Sequence, residues 1–207
     1  MKKTIKVYAV MALVTVLFSG CITATILMSN ASKKEKEKII GGEVFEIPNG
    51  TITYMDGSTL SFKRYGSYIR FDDYDGDCVI ITPSKVYQCD HVYKTYAFDS
   101  NKDGKYYYTS LSRVFPTQWY RWDKFAKDLV GSSNKAEGTA VYAGQTCVSF
   151  ITTDMEIAGY KRIFMYREVG DRVTMEAKDF SSSCNADFDV PEGYKDSGDD
   201  IVYSEIK

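Results

Sequence analysis

A mainly β fold of the α+β class, a curved antiparallel sheet with at least one covering helix, is what this sequence predicts. Three observations carry that expectation. Of 207 residues, 17 are Tyr and 11 are Phe, and aromatic and β-branched residues favour strands over helices. From Gly50 onward the chain breaks into short runs that alternate in hydrophobicity, the period-two pattern of half-buried strands. Tight turn signals such as Asp56-Gly57-Ser58 separate those runs and suit hairpins better than long crossovers.

Taken in order, the first pair is "TITYM" (Thr51–Met55) and "TLSFKRY" (Thr59–Tyr65). In the second run Leu60 and Phe62 share one face, and Ser61 and Lys63 the other. "SYIRF" alternates again, with Ile69 and Phe71 on one side, and the acidic loop Asp72–Asp77 follows. "CVIIT" (Cys78–Thr82) is continuously apolar, as a central strand should be. "KVYQC" (Lys85–Cys89) returns after Pro83-Ser84, and "KTYAF" (Lys94–Phe98) and "KYYYT" (Lys105–Thr109) follow. A helix then interrupts the strands. Pro116 and Thr117 begin it, Trp119, Trp122, Phe125 or Ala126, and Leu129 recur at helical spacing, and Gly131 ends it. Strands resume at "GTAVYA" (Gly138–Ala143), "QTCVSFITT" (Gln145–Thr153), "YKRIFMYRE" (Tyr160–Glu168) and "RVTMEAKDF" (Arg172–Phe180). No internal repeat is visible. The expected sheet meanders, curled or part-closed to hide its edges.

The N-terminus bears on compartment. Lys2, Lys3 and Lys6 precede an apolar run, and Ser19-Gly20-Cys21 places small residues ahead of a cysteine. This resembles the bacterial lipoprotein signal, which implies that Cys21 takes a diacylglyceryl group and becomes the new N-terminus. The rival reading is an uncleaved anchor: Val7 through Met28 carries no charge, and at ~1.5 Å per residue such a run spans a ~30 Å hydrocarbon core. Both place a tethered domain outside the cytoplasm, in a bacterial cell envelope. The resulting plan is a signal or anchor over 1–28, a charged spacer over 29–40, a β-rich domain over 41–195 and a tail over 196–207. A net charge of −2 with no basic stripe excludes nucleic acid as a natural partner.

Cysteine usage follows from that compartment. Cys78, Cys89, Cys147 and Cys184 remain, an even set that suggests two disulfides in an oxidising space. Cys78 and Cys89 flank the "PSK" turn and fall nearly opposite in a hairpin, which favours Cys78–Cys89 with Cys147–Cys184. No cofactor is expected and no metal: there is no C-x-x-C, and His91 is the sole histidine. Asp99-Ser100-Asn101-Lys102-Asp103-Gly104 matches the first half of a calcium loop, but its twelfth position is Ser110, where a bidentate acid is needed. A turn between strands is the better reading. Asp72, Asp73, Asp75 and Asp77 read as a solvated hairpin tip. Without a nucleophile beside His91, a P-loop or a G-x-S-x-G, the chain is not expected to be an enzyme.

Four blocks, in order, carry a resemblance: "STLSFKRYGSYIRF", "CVIITPSKVYQCDHVYKTYAF", "AGQTCVSFIT" and "FDVPEGYK". Together they resemble the LolA/LolB-like superfamily of lipoprotein-localisation factors. The resemblance implies an incomplete β-barrel whose concave side is covered by helix and holds acyl chains. On that basis the expected function is a non-catalytic, membrane-tethered envelope protein that binds lipid or lipoprotein acyl chains. Leu60, Phe62, Ile69, Phe71, Trp119, Trp122 and Phe125 are the expected lining. No loop reads as an exposed apolar tip of the kind used for lipoprotein insertion. The alternatives are an extracytoplasmic interaction module with a tyrosine-rich face, and a calcium-dependent structural domain.

Overall fold

The computed structural model describes residues 42–101, 136–151 and 155–199, together with Lys33, Glu37 and Lys38. The chain divides into two compact units, Met1–Glu37 and Lys38–Lys207, and the second holds the sheet. Cys21 with the run from Val7 to Met28, the expected strand over 105–109, and the expected helix with Trp119, Trp122 and Phe125 lie outside the described residues. Among the described residues, no helix is long and apolar enough to cross a membrane.

The described residues form twelve strands: β1 Gly50–Tyr54, β2 Thr59–Lys63, β3 Tyr68–Asp72, β4 Cys78–Ile81, β5 Lys85–Asp90, β6 Thr95–Ser100, β7 Ala136–Tyr142, β8 Gln145–Ile151, β9 Met155–Tyr160, β10 Ile163–Val169, β11 Arg172–Ser181 and β12 Lys195–Asp196. They make one sheet in the order β12-β6-β5-β4-β3-β2-β1-β11-β10-β9-β8-β7. Two antiparallel meanders, β1 to β6 and β7 to β11, meet where Thr51 and Ile52 of β1 face Ser181 and Phe180 of β11. The sheet is mixed because β12 runs parallel to β6. The fold is therefore sheet-dominated, as the aromatic content and period-two runs predict.

Hydrophobic alternation decides which face is inside. On β1 to β5 the inward rows are Ile52-Leu60-Phe71-Val79 and Phe62-Ile69-Ile81-Val86, each residue beside its neighbour across the ladder. These join Phe150, Ile157, Ile163, Phe164 and Met165 of the second meander in one core, so the sheet curves until both meanders share an interior. Tyr54, itself buried, ties the two: its hydroxyl donates to the Phe164 carbonyl at 3.2 Å. Burial pushes that phenol well above its ordinary pKa, and the charge of Asp56 adds to the effect.

Three local features depart from the sequence expectation. The strand from Thr59 stops at Lys63, because Arg64, Tyr65 and Gly66 all have positive φ (53°, 59° and 93°). Gly66 is needed there, since a Cβ on it would sit 2.8 Å from the Val44 Cβ. That close approach lets Val44 and Phe45 seal the core edge, with the Phe45 N–H bonded to the Tyr65 carbonyl. Second, β9 has no counterpart in the expected strands. Its hairpin to β10 turns on Lys161 and Arg162, with φ of 50° and 69°, a left-handed pair normally announced by Asn or Gly. Lys161→Asn should therefore raise stability by about 0.5–1 kcal/mol, read as an upward shift in a thermal melt. The Lys161–Glu46 ion pair at 3.9 Å is half-exposed, and its loss matters little.

Third, the block "FDVPEGYK" (Phe188–Lys195), for which the resemblance implies a terminal strand, is mostly a strap. Only Lys195 and Asp196 pair, with Thr95 and Tyr96, so pairing crosses the expected boundary at 195. The rest crosses the outer face of β2 to β6. Lys63 Nζ donates to the Ala186 carbonyl at 3.1 Å, and Arg70 Nη1 to the Asp187 carbonyl at 3.2 Å. Phe188, Val190 and Tyr194 pack there on Cys78, Ile80 and Cys89. This makes a small second core on the opposite side of the sheet.

Candidate functional site

The expected ligand lining falls into two groups. Leu60, Phe62 and Ile69 are fully buried, and Phe71 is partly buried against the same cluster. They are packed by protein: the Phe62 and Phe45 rings lie 4.4 Å apart at 48°. A Cβ placed on Gly50 would sit 2.6 Å from the Phe62 ring. In the described interior these side chains touch each other. Trp119, Trp122 and Phe125 lie outside the described residues.

The outer face presents a different chemistry. Here the side chains form two rows across the strands: Thr51-Ser61-Arg70-Ile80-Tyr87-Phe98 and Thr53-Thr59-Asp72-Cys78-Cys89-Tyr96. Arg70 grips Asp72 with Nε at 2.9 Å from both carboxylate oxygens and Nη2 at 2.7 Å from one. A fork-to-fork pair of this kind is planar and directional. Cys78 and Cys89 are direct partners across β4 and β5, and their thiols hydrogen-bond to each other. That bond lowers the Cys78 pKa, and the Arg70 guanidinium lowers it further, against burial and the charges of Asp72 and Asp77. The same bond and burial push Cys89 up.

All four of these cysteines are free thiols here. Neither expected bridge, Cys78–Cys89 or Cys147–Cys184, is closed: Cys147 is sealed in the main core on β8, and Cys184 follows β11, part-buried.

At one end of this face two hairpin loops stand side by side. The β3–β4 loop carries Tyr74, 70% exposed, and the β5–β6 loop carries Val92 and Tyr93, each 77% exposed. Exposed apolar groups therefore gather at these two loops. The loops are locked together. The His91 N–H donates to Asp77 Oδ1 at 2.8 Å, and Gly76, with φ of 96°, lies so close to the His91 ring that a Cβ would sit 2.9 Å from it. Their acids fix the backbone: Asp73 Oδ1 accepts from the Tyr74 N–H, Asp75 Oδ1 from Asp77 and Asp90 Oδ1 from Tyr93. His91 Nδ1 also meets the Tyr194 hydroxyl at 2.9 Å, so the strap braces the same end. The expected acidic hairpin tip is thus a carboxylate-rimmed surface with exposed tyrosine and valine, its two loops joined by the His91–Asp77 bond.

At the opposite end, a cleft of about 320 Å³ runs between the strap and β2 to β4. Its two rings are covered by its own cations: Lys63 Nζ lies 5.1 Å from the Phe188 ring centre, and the Arg64 guanidinium 5.2 Å from that of Tyr68. The calcium-like stretch begins at the end of β6. Asp99 Oδ1 accepts from the Ser100 N–H at 2.6 Å, and buried Asn101 donates from Nδ2 to the Thr82 carbonyl at 2.7 Å. Asn101 pins β6 to the β4–β5 turn. Among the described residues, no three His, Cys, Asp or Glu side chains gather to hold an ion.

No protein-family model matches the chain, and no curated protein does. Among solved structures it is similar to an uncharacterised conserved protein of Thermus thermophilus, at 9% identity and a TM-score of 0.40. That similarity covers 80% of this chain and 98% of the other.

Proposed function

We propose that the protein is a non-catalytic, membrane-tethered extracytoplasmic interaction module, and that the paired ends of the β3–β4 and β5–β6 hairpins are its contact surface. The observation that carries this reading is the exposure of Tyr74, Val92 and Tyr93 on loops whose backbone is already fixed. Tyrosine supplies large contact area with few rotatable bonds, and a rigid loop loses little entropy on binding. Tether and compartment rest on the N-terminal signal or anchor, with Cys21 as the attachment residue in the first case. A lipoprotein-localisation-like incomplete barrel belongs to the same proposal. The core shared by the two meanders supports it.

The rim decides what kind of partner fits. Asp73, Asp75, Asp77 and Asp90 surround the exposed apolar groups, which disfavours an anionic lipid surface and favours a protein patch with an apolar centre and basic edges. The acyl-chain reading draws less support, since Leu60, Phe62 and Ile69 fill the described interior themselves. The test is retention of envelope proteins on the immobilised full-length chain and on Tyr74→Ser/Tyr93→Ser. The variant should lose the retained partner at least ~10-fold with an unchanged melting temperature, and binding should weaken as salt rises. Equal retention by both chains, or equal loading of both with co-purified lipid and no protein, would reject the reading.

A further inference from the structure

We propose that Cys78 and Cys89 form a dithiol–disulfide couple in which Cys78 is the attacking sulphur, Cys89 the resolving one, and the C-terminal strap the cover that controls access. This goes beyond the binding role of the hairpin ends and does not depend on it.

Placement comes first. Directly opposed residues of an antiparallel pair have Cα atoms ~4.5–5.5 Å apart, inside the ~4.4–6.8 Å that a disulfide spans. The Cys78–Cys89 register meets that requirement, and the thiols already face each other in a hydrogen bond. Cys147 and Cys184 are elsewhere in the fold, so neither competes. Surroundings come second. Cys78 stands directly across from Asp72, whose carboxylate the Arg70 guanidinium pairs at 2.7 Å; Arg70 favours the thiolate of both cysteines, and β3, which carries it, lies next to the strand of Cys78 and one strand further from that of Cys89. The Cys78 thiol is held below its ordinary pKa and the Cys89 thiol above it. A nucleophilic thiol and a later-acting resolving thiol differ in this way.

Access comes third. The two cysteines are 4% and 2% exposed, under Phe188, Val190 and Tyr194. The strap is held by a two-residue strand, the Tyr194–His91 contact and side-chain bonds from Lys63 and Arg70. A segment with so few backbone bonds opens at much lower free energy than the sheet below it.

The reaction is thiol–disulfide exchange with an external disulfide, either a small-molecule disulfide or that of an exchange protein. The Cys78 thiolate attacks one sulphur of that disulfide, forms a mixed disulfide and releases the other sulphur as thiolate. Cys89 gives its proton to that thiolate and attacks the Cys78 sulphur. The second external sulphur leaves and takes up the proton that Cys78 had released. Two protein thiols are oxidised, and one external disulfide is reduced to two thiols.

The experiment uses reduced full-length protein and glutathione disulfide, followed by intact mass and peptide mapping. The expected product has lost about 2 Da, with Cys78 joined to Cys89. Cys89→Ser should trap a stable glutathione adduct on Cys78, and Cys78→Ser should form one on Cys89 at least ~10-fold more slowly. Phe188→Ala in the Cys89→Ser background should speed adduct formation several-fold. A bridge to Cys147 or Cys184, an unoxidised pair, or equal rates for the two serine variants would overturn the assignment. An unchanged rate with Phe188→Ala would overturn the role of the strap. Should a serine variant fail to fold, mapping of the native chain across a series of glutathione ratios still decides the pairing. The reagent is supplied, so the outcome is independent of the proposed compartment.

Discussion

Phe62→Ala should remove about 3–5 kcal/mol of stability, read as a lower urea midpoint with an unchanged slope. Phe62 is fully buried, stacked at an angle on Phe45 and seated over the bare backbone of Gly50. Its loss opens a hole between β1 and β2 that the sheet cannot close, because both strands are pinned on either side by ladder pairing. For a domain with ~5–15 kcal/mol in total, that is a large share. The same substitution separates two roles for this side chain. A residue lining a ligand cavity would enlarge the cavity at little cost in stability. A change under about 1 kcal/mol would therefore contradict its placement in a filled core.

Arg70→Leu should have the next largest effect, about 2 kcal/mol, between the value of an exposed ion pair and that of a buried one. Three things are lost together: the two-pronged bond to Asp72, the bond to the Asp187 carbonyl and the positive charge beside Cys78. Asp72 is then left part-buried with only the Thr59 hydroxyl, at 3.4 Å. The double variant Arg70→Leu/Asp72→Val should recover most of the loss, since it removes the stranded charge. If the double variant is less stable than the single by the full cost of Asp72→Val alone, the two residues are not coupled and the outer-face pairing carries no energy. Denaturant titration of all four chains reads this directly.

How much of this was legible in the sequence follows from range. The strand runs around Leu60, Ile69, Ile80 and Val86 were readable because alternation and continuous apolar runs are local signals. The opposition of Cys78 and Cys89 was readable for the same reason: a short hairpin sets its own register. β9 was hidden because its turn uses Lys161 and Arg162 in a left-handed conformation, without the Gly or Asn that would mark it. The strap stands where the resemblance of "FDVPEGYK" implies a terminal strand. Its position depends on bonds from Lys63 and Arg70, over a hundred residues away. The closure of β1 on β11 is equally remote. Tyr74, Val92 and Tyr93 were visible as residues but not as a platform, because the contact of Gly76 with His91 that joins the loops is set by the fold. Leu60, Phe62 and Ile69 were correctly placed on one face, but a pattern cannot say whether that face meets ligand or its own neighbours.

The interaction reading is tested most directly by a photo-crosslinking side chain placed at Tyr74 or Tyr93 in the full-length protein in its own cells, with Val141, 68% exposed on β7, as the control position. The account predicts one discrete protein adduct shared by positions 74 and 93, absent from 141, and lost from 74 when Tyr93 is changed to Ser. Adducts to lipid alone, or the same adducts from 141 as from the hairpin ends, would contradict it.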